Sequence, residues 1–137
     1  MIAYVSVGSN DIQRSKRFYT AFLPALGYTY SEGPEGLSFE LPVPEGQAPQ
    51  PDFYVKPPFD EGPATQGNGS MTAFEASSQD QVRALHAAAL AAGGSDEGTP
   101  GFRADYGARF YVGYLRDPDG NKIALFSSNP KDPSRDD

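Results

Sequence analysis

A weak internal repeat is the sequence feature that most restricts the fold. Two stretches of alternating apolar residues, residues 2–7 and 71–76, are each followed by a candidate helix N-cap with a glutamine three residues later. These pairs are Asn10 with Gln13 and Ser78 with Gln81. A chain that repeats a strand followed by a helix is typical of two equivalent units packed together. The sequence therefore predicts one domain built from two modules.

Each predicted helix carries an apolar stripe, ends near glycine and is followed by strand candidates. The stripes consist of Ile12, Tyr19, Phe22 and Leu26 in the first helix and Val82, Leu85, Ala89 and Ala92 in the second. The glycines are Gly27 and the pair Gly93-Gly94. The strand candidates are residues 28–31, 37–41 and 52–56 in the first half, then a less regular stretch, 110–115 and 122–127 in the second. Each half thus predicts a strand-helix-strand-strand-strand module.

Proline and glycine mark the boundaries of these modules. We predict a single domain over residues 1–128, with module 1 at about 1–56, a linker at 57–69 and module 2 at about 70–128. A second proline-rich stretch, residues 42–51, is expected to form an exposed loop. Residues 129–137 contain two prolines, alternating charges and no apolar residue, which predicts a flexible tail.

The strongest turn signal is Asp117-Pro118-Asp119-Gly120, which precedes the last apolar strand. Proline has the φ angle required at the first central position of such a turn, and Gly120 can adopt positive φ. The segment therefore predicts a hairpin between residues 110–115 and 122–127.

Three segments, residues 2–28, 67–74 and 116–126, together and in this order resemble the vicinal oxygen chelate superfamily, the group of glyoxalases, bleomycin-resistance proteins and extradiol dioxygenases. The resemblance implies an α+β fold in which paired βαβββ modules form a curved mixed sheet around a pocket, with the helices outside. Metal-dependent members of this family hold a divalent cation on the inward faces of corresponding strands.

The residues at those metal positions are poor ligands in this chain. The resemblance places the first-strand ligand, usually His, at Tyr4, the second-module ligand, usually His, at Met71, and the final-strand ligand, usually Glu, at Ala124. A fourth position lies within residues 52–56, where Phe53 and Val55 are the best candidates. Divalent cations need several imidazole, thiolate or carboxylate donors. We therefore predict that the protein has no metal and no other cofactor at this site.

Strand alternation extends this face to further side chains. Either Tyr111 or the alternating set of Phe110, Val112 and Tyr114 faces inward, and the resemblance favours Tyr114. The preceding loop is expected at the rim. The predicted ligand-binding residues are Tyr4, Ser6, Met71, Arg103, Tyr106, Arg109, Tyr114, Lys122, Ala124 and Phe126. In the alternative interpretation, the aromatic residues fill the core and the arginines are solvated.

Composition excludes several classes of function. The net charge of −7 argues against binding to a nucleic-acid backbone, and no apolar run is long enough to span a membrane. The absence of cysteine and of a signal-peptide pattern predicts a cytoplasmic protein. The only histidine, His86, lies in the second helix, where we expect it to be at the surface or partly packed. The segment 67–70 is a turn signal and is too short for a phosphate-binding loop.

Two functions fit this sequence best. In the first, the protein binds or sequesters an organic small molecule, as the resemblance to bleomycin-resistance proteins implies, and forms a homodimer. In the second, it is a lyase, isomerase or dioxygenase with an atypical metal site or with metal-free acid-base catalysis by Tyr4, Tyr114 or Lys122. A domain without a small-molecule role is a third possibility. The sequence assigns no catalytic residue.

Overall fold

Two helices and eight strands follow one another in the order of two βαβββ modules. The structure, a computed structural model, describes residues 1–137. Module 1 consists of β1 (Tyr4–Gly8), α1 (Ile12–Thr20), β2 (Thr29–Gly33), β3 (Gly36–Glu40) and β4 (Asp52–Lys56). Module 2 consists of β5 (Thr72–Glu75), α2 (Gln79–Ala91), β6 (Ser95–Phe102), β7 (Tyr111–Arg116) and β8 (Lys122–Ser127). The predicted α+β fold of paired modules is confirmed. Neither helix is long and apolar enough to span a membrane.

Each module forms its own four-stranded mixed sheet. The strand orders are β1-β4-β3-β2 and β5-β8-β7-β6, so the two sheets have the same topology. In each sheet the first and last strands of the module pair in parallel, and the other pairs are antiparallel. No strand pairing joins the sheets, whereas the sequence analysis expected one curved sheet. Strands β1 and β5 are therefore both edge strands.

The helix N-caps match the repeat in one module and shift by one residue in the other. Ser78 caps α2 as predicted, because its hydroxyl accepts a hydrogen bond from the Gln81 amide at 3.0 Å. Helix α1 is capped by Asp11, which accepts from the Arg14 amide at 3.1 Å. The predicted cap, Asn10, instead accepts a hydrogen bond from the Ala64 amide in the linker, at 2.7 Å. A tertiary contact has thus replaced the local one.

Two further details differ from the sequence pattern, the end of α1 and the regularity of β6. Helix α1 ends at Thr20, and Gly27, with φ of 99°, terminates the short 3₁₀ turn Pro24–Leu26 that follows. The stretch that showed no regular alternation forms β6. Its register with β7 shifts between Asp96 and Gly98 and again between Gly98 and Gly101. Such irregularities break the two-residue period that a strand prediction depends on.

A continuous aromatic core joins the two modules. Phe74 of β5 lies 5.1 Å from Phe53 and 6.1 Å from Phe22, measured between ring centroids. Phe22 and Phe53 belong to module 1, and Phe22 also packs edge-to-face on Phe18. Edge-to-face pairs of this kind stabilise a core beyond the apolar area that they bury. The modules therefore share one core although their sheets are separate.

The Asp-Pro-Asp-Gly turn docks on the start of α1. Asp117 is buried and accepts hydrogen bonds from the Tyr19 hydroxyl at 2.6 Å, the Asn121 side chain at 2.8 Å and two turn amides at 2.9 Å. The side chain of Asp119 forms an ion pair with Arg14 at 2.8 Å. Asn121 donates to the carbonyl of Gly8. The turn therefore connects module 2 to both β1 and α1.

The C-terminal segment also makes tertiary contacts. Arg135 donates hydrogen bonds to the carbonyls of Arg103 and Tyr106, at 3.0 and 2.8 Å, and its amide donates to the carbonyl of Ala108. Near the start of α2, Asp132 accepts from the amide of Gln79 at 2.8 Å. The segment predicted to be a flexible tail thus lies docked on the loop between β6 and β7 and on the start of α2.

Candidate functional site

Each sheet has one face under its helix and one open face, the face turned away from the helix. In module 1, Val55 and Phe53 pack in the core, whereas Tyr4 is 64% exposed on the opposite face of β1. In module 2, Ile123 and Leu125 are buried in the core. Because side chains alternate along a strand, Lys122, Ala124 and Phe126 lie on the open face of β8. The two open faces carry the predicted ligand-binding strand residues.

Strand register relates the two open faces residue by residue. Tyr4 and Met71 each lie seven residues before the N-cap of the following helix, which makes Ser6 the counterpart of Ala73. Ser6 pairs with Tyr54, and Ala73 pairs with Ala124. Tyr54 is therefore the module 1 counterpart of Ala124. It also occupies the fourth position of the metal-ligand set suggested by the resemblance.

This assignment corrects the choice of Phe53 or Val55 for that position. Both side chains are buried in the core, at 2% and 0% exposure, on the helix side of β4. The prediction was wrong by one residue, and a one-residue shift moves a side chain to the other face of a sheet. Only the pairing of β1 with β4, which sequence patterns do not show, fixes the register.

The four ligand positions are thus occupied by two phenols, one thioether and one alanine. They are Tyr4, Tyr54, Met71 and Ala124. Zinc and related cations bind nitrogen, thiolate or carboxylate donors, and magnesium binds oxygen donors that are mostly carboxylates. The residues at these positions do not fit such a metal ion.

On the open face of module 1, the Tyr54 ring lies between an aromatic ring and a cation. The Tyr4 ring is 5.5 Å away between centroids, and the Lys56 ammonium is 4.9 Å from the centroid of Tyr54. The Tyr54 hydroxyl donates a hydrogen bond to Asp52 at 3.1 Å. This bond, followed by partial loss of solvent and by the negative charge of Asp52, raises the pKa of Tyr54 above its ordinary value. Tyr54 therefore keeps its proton at neutral pH.

A cavity of about 590 Å³ lies on this face. Tyr4, Tyr54 and Lys56 line one side, and the turn between β2 and β3 lines the other. Ser31 and Ser38 also line it, and neither hydroxyl makes a hydrogen bond within the chain. Its volume falls in the range of small-molecule sites, and its lining is mostly polar, with two carboxylates, Glu32 and Glu35. We call it the module 1 cavity.

On the open face of module 2, the Tyr114 ring lies between two cations. The Arg103 guanidinium is 5.4 Å and the Lys122 ammonium 5.1 Å from its centroid. Arg103 is held in place by hydrogen bonds to the carbonyls of Thr99, at 2.9 Å, and of Phe102, at 3.1 Å. Contacts of this kind between a cation and a ring stabilise by about 0.5–1 kcal/mol at exposed sites. The arrangement holds Tyr114 over β6.

Glycine makes room for this ring. A Cβ atom on Gly98 would lie 2.9 Å from Cδ2 of Tyr114, which is closer than ordinary contacts allow. Tyr114 pairs with Ala124 on the other side, and Ala124 is only 2% exposed. The large Tyr114 ring on β7 thus has a small residue on each neighbouring strand, Gly98 on β6 and Ala124 on β8.

A row of aromatic rings continues from β8 to the rim. Phe126 stacks on Phe110 at 5.4 Å, and Phe110 meets Tyr106 at 5.3 Å. Tyr106 is 53% exposed at the end of this row. Arg109, also predicted to bind ligand, instead donates a hydrogen bond to the carbonyl of Asp132 in the C-terminal segment at 2.6 Å. Among the rim residues, Arg103 and Tyr106 adjoin the open face of module 2, and Arg109 holds the tail.

The structure therefore divides the predicted residues into two groups. Tyr4 and Ser6 lie on module 1, and Tyr114, Lys122, Ala124 and Phe126 lie on module 2. Tyr4 lines only the module 1 cavity, and Tyr114, Ala124 and Phe126 line none of the five principal cavities. Met71 borders two cavities at the seam between the modules. The predicted residues therefore lie on two separate open faces.

Four residues of the module 1 cavity were not predicted from the sequence: Tyr54, Lys56, Ser31 and Ser38. The alternation Asp52-Phe53-Tyr54-Val55-Lys56 gives a usable signal, because the buried pair Phe53 and Val55 implies that Tyr54 faces the other way. That signal becomes decisive only with the register between β1 and β4.

His86 lies apart from both open faces. It is 4% exposed between α2 and the sheet of module 2, where its Nε2 lies 2.9 Å from the carbonyl oxygen of Tyr114 and 3.4 Å from Asp96. The expectation of a surface or partly packed residue was wrong, because Gly113 leaves the space that the imidazole fills. A Cβ atom at Gly113 would lie 2.9 Å from Cδ2 of His86.

Comparison with known proteins identifies the family to which this architecture belongs. The model of the Glyoxalase/Bleomycin resistance protein/Dioxygenase superfamily matches residues 1–125. The crystal structure of a glyoxalase/bleomycin resistance protein from Albidiferax ferrireducens T118 is 40% identical, with 93% of this chain and 98% of that chain covered and a TM-score of 0.78. Among curated proteins, no match was found.

More distant solved structures agree in fold. A glyoxalase-related enzyme from Fulvimarina pelagi is 20% identical, with 93% of this chain and 87% of that chain covered and a TM-score of 0.64. A glyoxalase/bleomycin resistance protein/dioxygenase family enzyme from Burkholderia phytofirmans PsJN is 20% identical, with 92% and 97% covered and a TM-score of 0.63. At this level of identity the two structures support the fold alone.

Proposed function

The chain belongs to the glyoxalase/bleomycin resistance protein/dioxygenase superfamily, and we propose that it binds an organic small molecule on its open faces without a divalent metal. The observation that carries this proposal is the set of residues at the four ligand positions of the family. Tyr4, Tyr54 and Met71 offer aromatic and apolar surface where metal-dependent members offer imidazole and carboxylate, and Ala124, which is 2% exposed, offers no donor atom. Such side chains favour contact with an organic molecule.

The two open faces supply different contacts for a ligand of this kind. The module 1 cavity offers the Tyr4 ring, two serine hydroxyls without partners and the ion pair of Lys56 with Glu35. The open face of module 2 offers Tyr114 between two cations and the aromatic row that begins at Phe126. Rigid rings provide contact area at a low cost in conformational entropy. We therefore place the ligand against one or both of these surfaces.

We also propose that the protein is a homodimer in which a second copy adjoins these faces. Strands β1 and β5 are unpaired edges, and unpaired edges favour association. Ile2 is 65% and Met71 48% exposed, and both border an apolar groove of about 380 Å³ at the seam between the modules. Burial of these side chains would favour a dimer. Sedimentation showing a 14.7 kDa monomer at high micromolar concentration would contradict this proposal.

The enzymatic alternative requires a group on the open faces that can exchange a proton. Tyr54 is the tyrosine closest to a carboxylate there, and its raised pKa makes it a hydrogen-bond donor rather than a base at neutral pH. This role suits binding as well as catalysis. No observation favours a particular reaction, so binding is the function that we propose.

A thermal-shift screen tests the proposal. The protein, first treated with EDTA, is mixed with a panel of metabolites and antibiotics, because a compound that binds only the native state raises its melting temperature. We expect at least one compound to bind equally well with and without added Zn²⁺, Ni²⁺ or Mn²⁺. Tyr54→Ala or Tyr114→Ala should weaken its binding, whereas Tyr106→Ala, at the exposed end of the aromatic row, should weaken it less.

Elemental analysis provides an independent check on the metal. About one Zn, Fe, Ni or Mn per chain, lost on Tyr4→Phe or Tyr54→Phe, would overturn the metal-free proposal. A screen in which every bound compound requires added metal would do the same.

A further inference from the structure

A second polar cavity lies where the linker enters module 2. Its volume is about 410 Å³, and residues 66–71 line it on one side while Arg116 and Lys122 line it on the other. Met71 is its only hydrophobic lining residue. We call it the linker cavity. Lys122 borders this cavity and also contacts the Tyr114 ring, so the linker cavity adjoins the open face of module 2.

The residues that line the linker cavity carry a charge opposite to that of the whole protein, although one of them, Arg116, is paired with Glu97 beside the cavity. The chain has 18 acidic and 11 basic residues, and each of the other four principal cavities is lined by at least one Asp or Glu. The linker cavity is lined by two cations and no carboxylate. In a protein of net charge −7, such a concentration of positive charge favours an anion at this place over others.

The two cations are arranged differently, and both leave donors free. Arg116 is fixed by Glu97 at 2.7 Å, through Nε, and by the carbonyl of Gly120 at 2.8 Å, through Nη1. Its Nη2 makes no hydrogen bond within the chain. Lys122 forms neither an ion pair nor a hydrogen bond within the chain, although its ammonium can donate three. The linker cavity is therefore lined by a positioned guanidinium and a flexible ammonium, each with donors that no acceptor of the chain occupies.

The linker supplies further donors across from these cations. Gly67 and Gly69 adopt left-handed φ of 62° and 98° on either side of Asn68. The amides of Asn68 and Gly69 donate to no acceptor in the chain, and the Ser70 amide closes the turn on the carbonyl of Gly67 at 2.8 Å. The positive φ of Gly69 and the bond from Ser70 to Gly67 are those of a type II turn, in which Asn68 and Gly69 hold the two central positions and leave their amides unpaired. The segment that was too short for a phosphate-binding loop by sequence thus faces two cations.

We propose that the linker cavity holds the acidic group of an organic anion, a carboxylate or a phosphate. Lys122 and the amides at 68–69 bind its oxygens, and Arg116 adds a second positive charge. The organic part of the molecule extends over Met71 towards the Tyr114 ring. The proposal of an organic anion rests on the proposed function, whereas binding of the acidic group itself does not.

Three probes of graded chemistry test this proposal by two-dimensional NMR titration. They are inorganic phosphate, phenyl phosphate and the neutral compound benzyl alcohol. We expect both phosphates to shift the amides of Asn68, Gly69 and Ser70 in a saturable manner, with phenyl phosphate binding more tightly and also shifting residues near Tyr114. Benzyl alcohol should leave the linker amides unchanged.

Matched charge variants separate a specific site from general electrostatics. Lys122→Gln should weaken phenyl phosphate binding about tenfold, because it removes a charged hydrogen-bond donor. Lys131→Gln makes the same change in net charge in the C-terminal segment, and it should leave the dissociation constant within about twofold of the parent value. Lys122→Arg keeps the charge and should restore most of the affinity.

The outcomes distinguish this inference from the proposed function. The proposed anion site would be contradicted if the linker amides responded to neither phosphate. It would also be contradicted if Lys122→Gln and Lys131→Gln weakened phenyl phosphate binding equally. If benzyl alcohol or a neutral compound from the screen still binds the open faces in that case, the proposed function stands. If phosphate binds with dependence on Lys122 but no organic compound binds, the anion site stands and the proposed function fails.

Discussion

The two modules share one backbone plan but carry their tyrosines on different strands. In module 1 the open face has Tyr54 on the last strand opposite Ser38 on the third. In module 2 it has Tyr114 on the third strand opposite Ala124 on the last. Tyr54 is bound to Asp52, whereas Tyr114 lies between Arg103 and Lys122 with no carboxylate contact. A duplicated scaffold has thus produced one face whose tyrosine donates to a carboxylate and one whose tyrosine lies near two cations.

The connections before the last strands of the modules differ as well. Module 1 joins β3 to β4 through residues 41–51, which form an open, proline-rich loop. Module 2 joins β7 to β8 through the short turn that begins at Asp117, and this turn is buried against α1. The shorter connection therefore does more than reverse the chain. It holds the two modules together.

Removal of the Asp117 carboxylate should destabilise the protein strongly, because it breaks the junction between the modules. Asp117→Ala leaves the buried Tyr19 hydroxyl without an acceptor and removes one of the two acceptors of the Asn121 side chain, and uncompensated buried donors cost about 1–3 kcal/mol each. We expect a loss of about 4 kcal/mol in the free energy of unfolding, measured with urea.

Asp105→Ala is the matched control for this change. Asp105 is exposed and makes no hydrogen bond, so its replacement should change the stability by less than about 0.5 kcal/mol. A loss below about 1 kcal/mol in Asp117→Ala would mean that the turn is not what joins the modules.

The stability of this junction at alkaline pH depends on Tyr19, the partner of Asp117. Burial, together with the negative charge of Asp117, raises the pKa of Tyr19 well above its ordinary value near 10. The unfolded chain therefore loses this proton at lower pH than the folded protein does. The contribution of Tyr19 is complete below about pH 10 and is lost as pH rises from there towards the higher folded pKa.

Tyr19→Phe should be about 2 kcal/mol less stable than the parent at pH 8, and its stability should fall less steeply between about pH 10 and 12. The measurement is urea unfolding at a series of pH values. Tyr106→Phe, which changes an exposed tyrosine, should follow the parent curve. Parallel curves for parent and Tyr19→Phe would contradict a buried, protonated phenol at the junction.

Sequence patterns predicted the architecture well because both modules repeat the same local signals. The strands Asp52–Lys56 and Lys122–Ser127 were found with their observed bounds, since alternation and turn residues mark both ends. The pattern failed at β6, where glycine, proline and register shifts remove the period. It also failed at Asn10, where a contact with the distant Ala64 outcompetes the cap.

The candidate site was less accessible to sequence reasoning, because its geometry depends on pairing between distant strands. Lys122 and Tyr114 follow from alternation within one hairpin. Tyr54 requires the parallel pairing of β1 with β4, which joins residues about 48 positions apart. The contact of Arg109 with Asp132 depends on how the C-terminal segment folds back, and no periodic signal encodes that path.

A pair of glycine substitutions compares the two open faces directly. Gly98 on β6 and Gly33 on β2 occupy corresponding strands, but only Gly98 has a ring against it. Gly98→Ala should displace the Tyr114 ring and lower the stability by about 1–2 kcal/mol. Gly33→Ala meets nothing within 4 Å and should be neutral or slightly stabilising, because alanine restricts the unfolded chain.

Urea unfolding measures the stability of both variants, and the NMR shifts of the Tyr114 ring protons report its displacement. Equal effects of the two substitutions would mean that the Tyr114 ring does not lie over β6. The contrast between the open faces would then need revision.

The smallest expected effect concerns the C-terminal segment, residues 129–137. Module 1 has no segment that corresponds to it. Arg135 donates to carbonyls of the loop between β6 and β7, residues 103–110, which we call the rim loop. Within this loop the Tyr106 amide donates to the carbonyl of Arg103. Arg135→Ala should raise hydrogen exchange at the Tyr106 and Phe110 amides roughly fivefold, because local opening of the loop becomes easier. Lys131→Ala, in the same segment but without a side-chain contact to the loop, is the control. Unchanged exchange at both amides in Arg135→Ala would show that the rim loop is rigid without the tail.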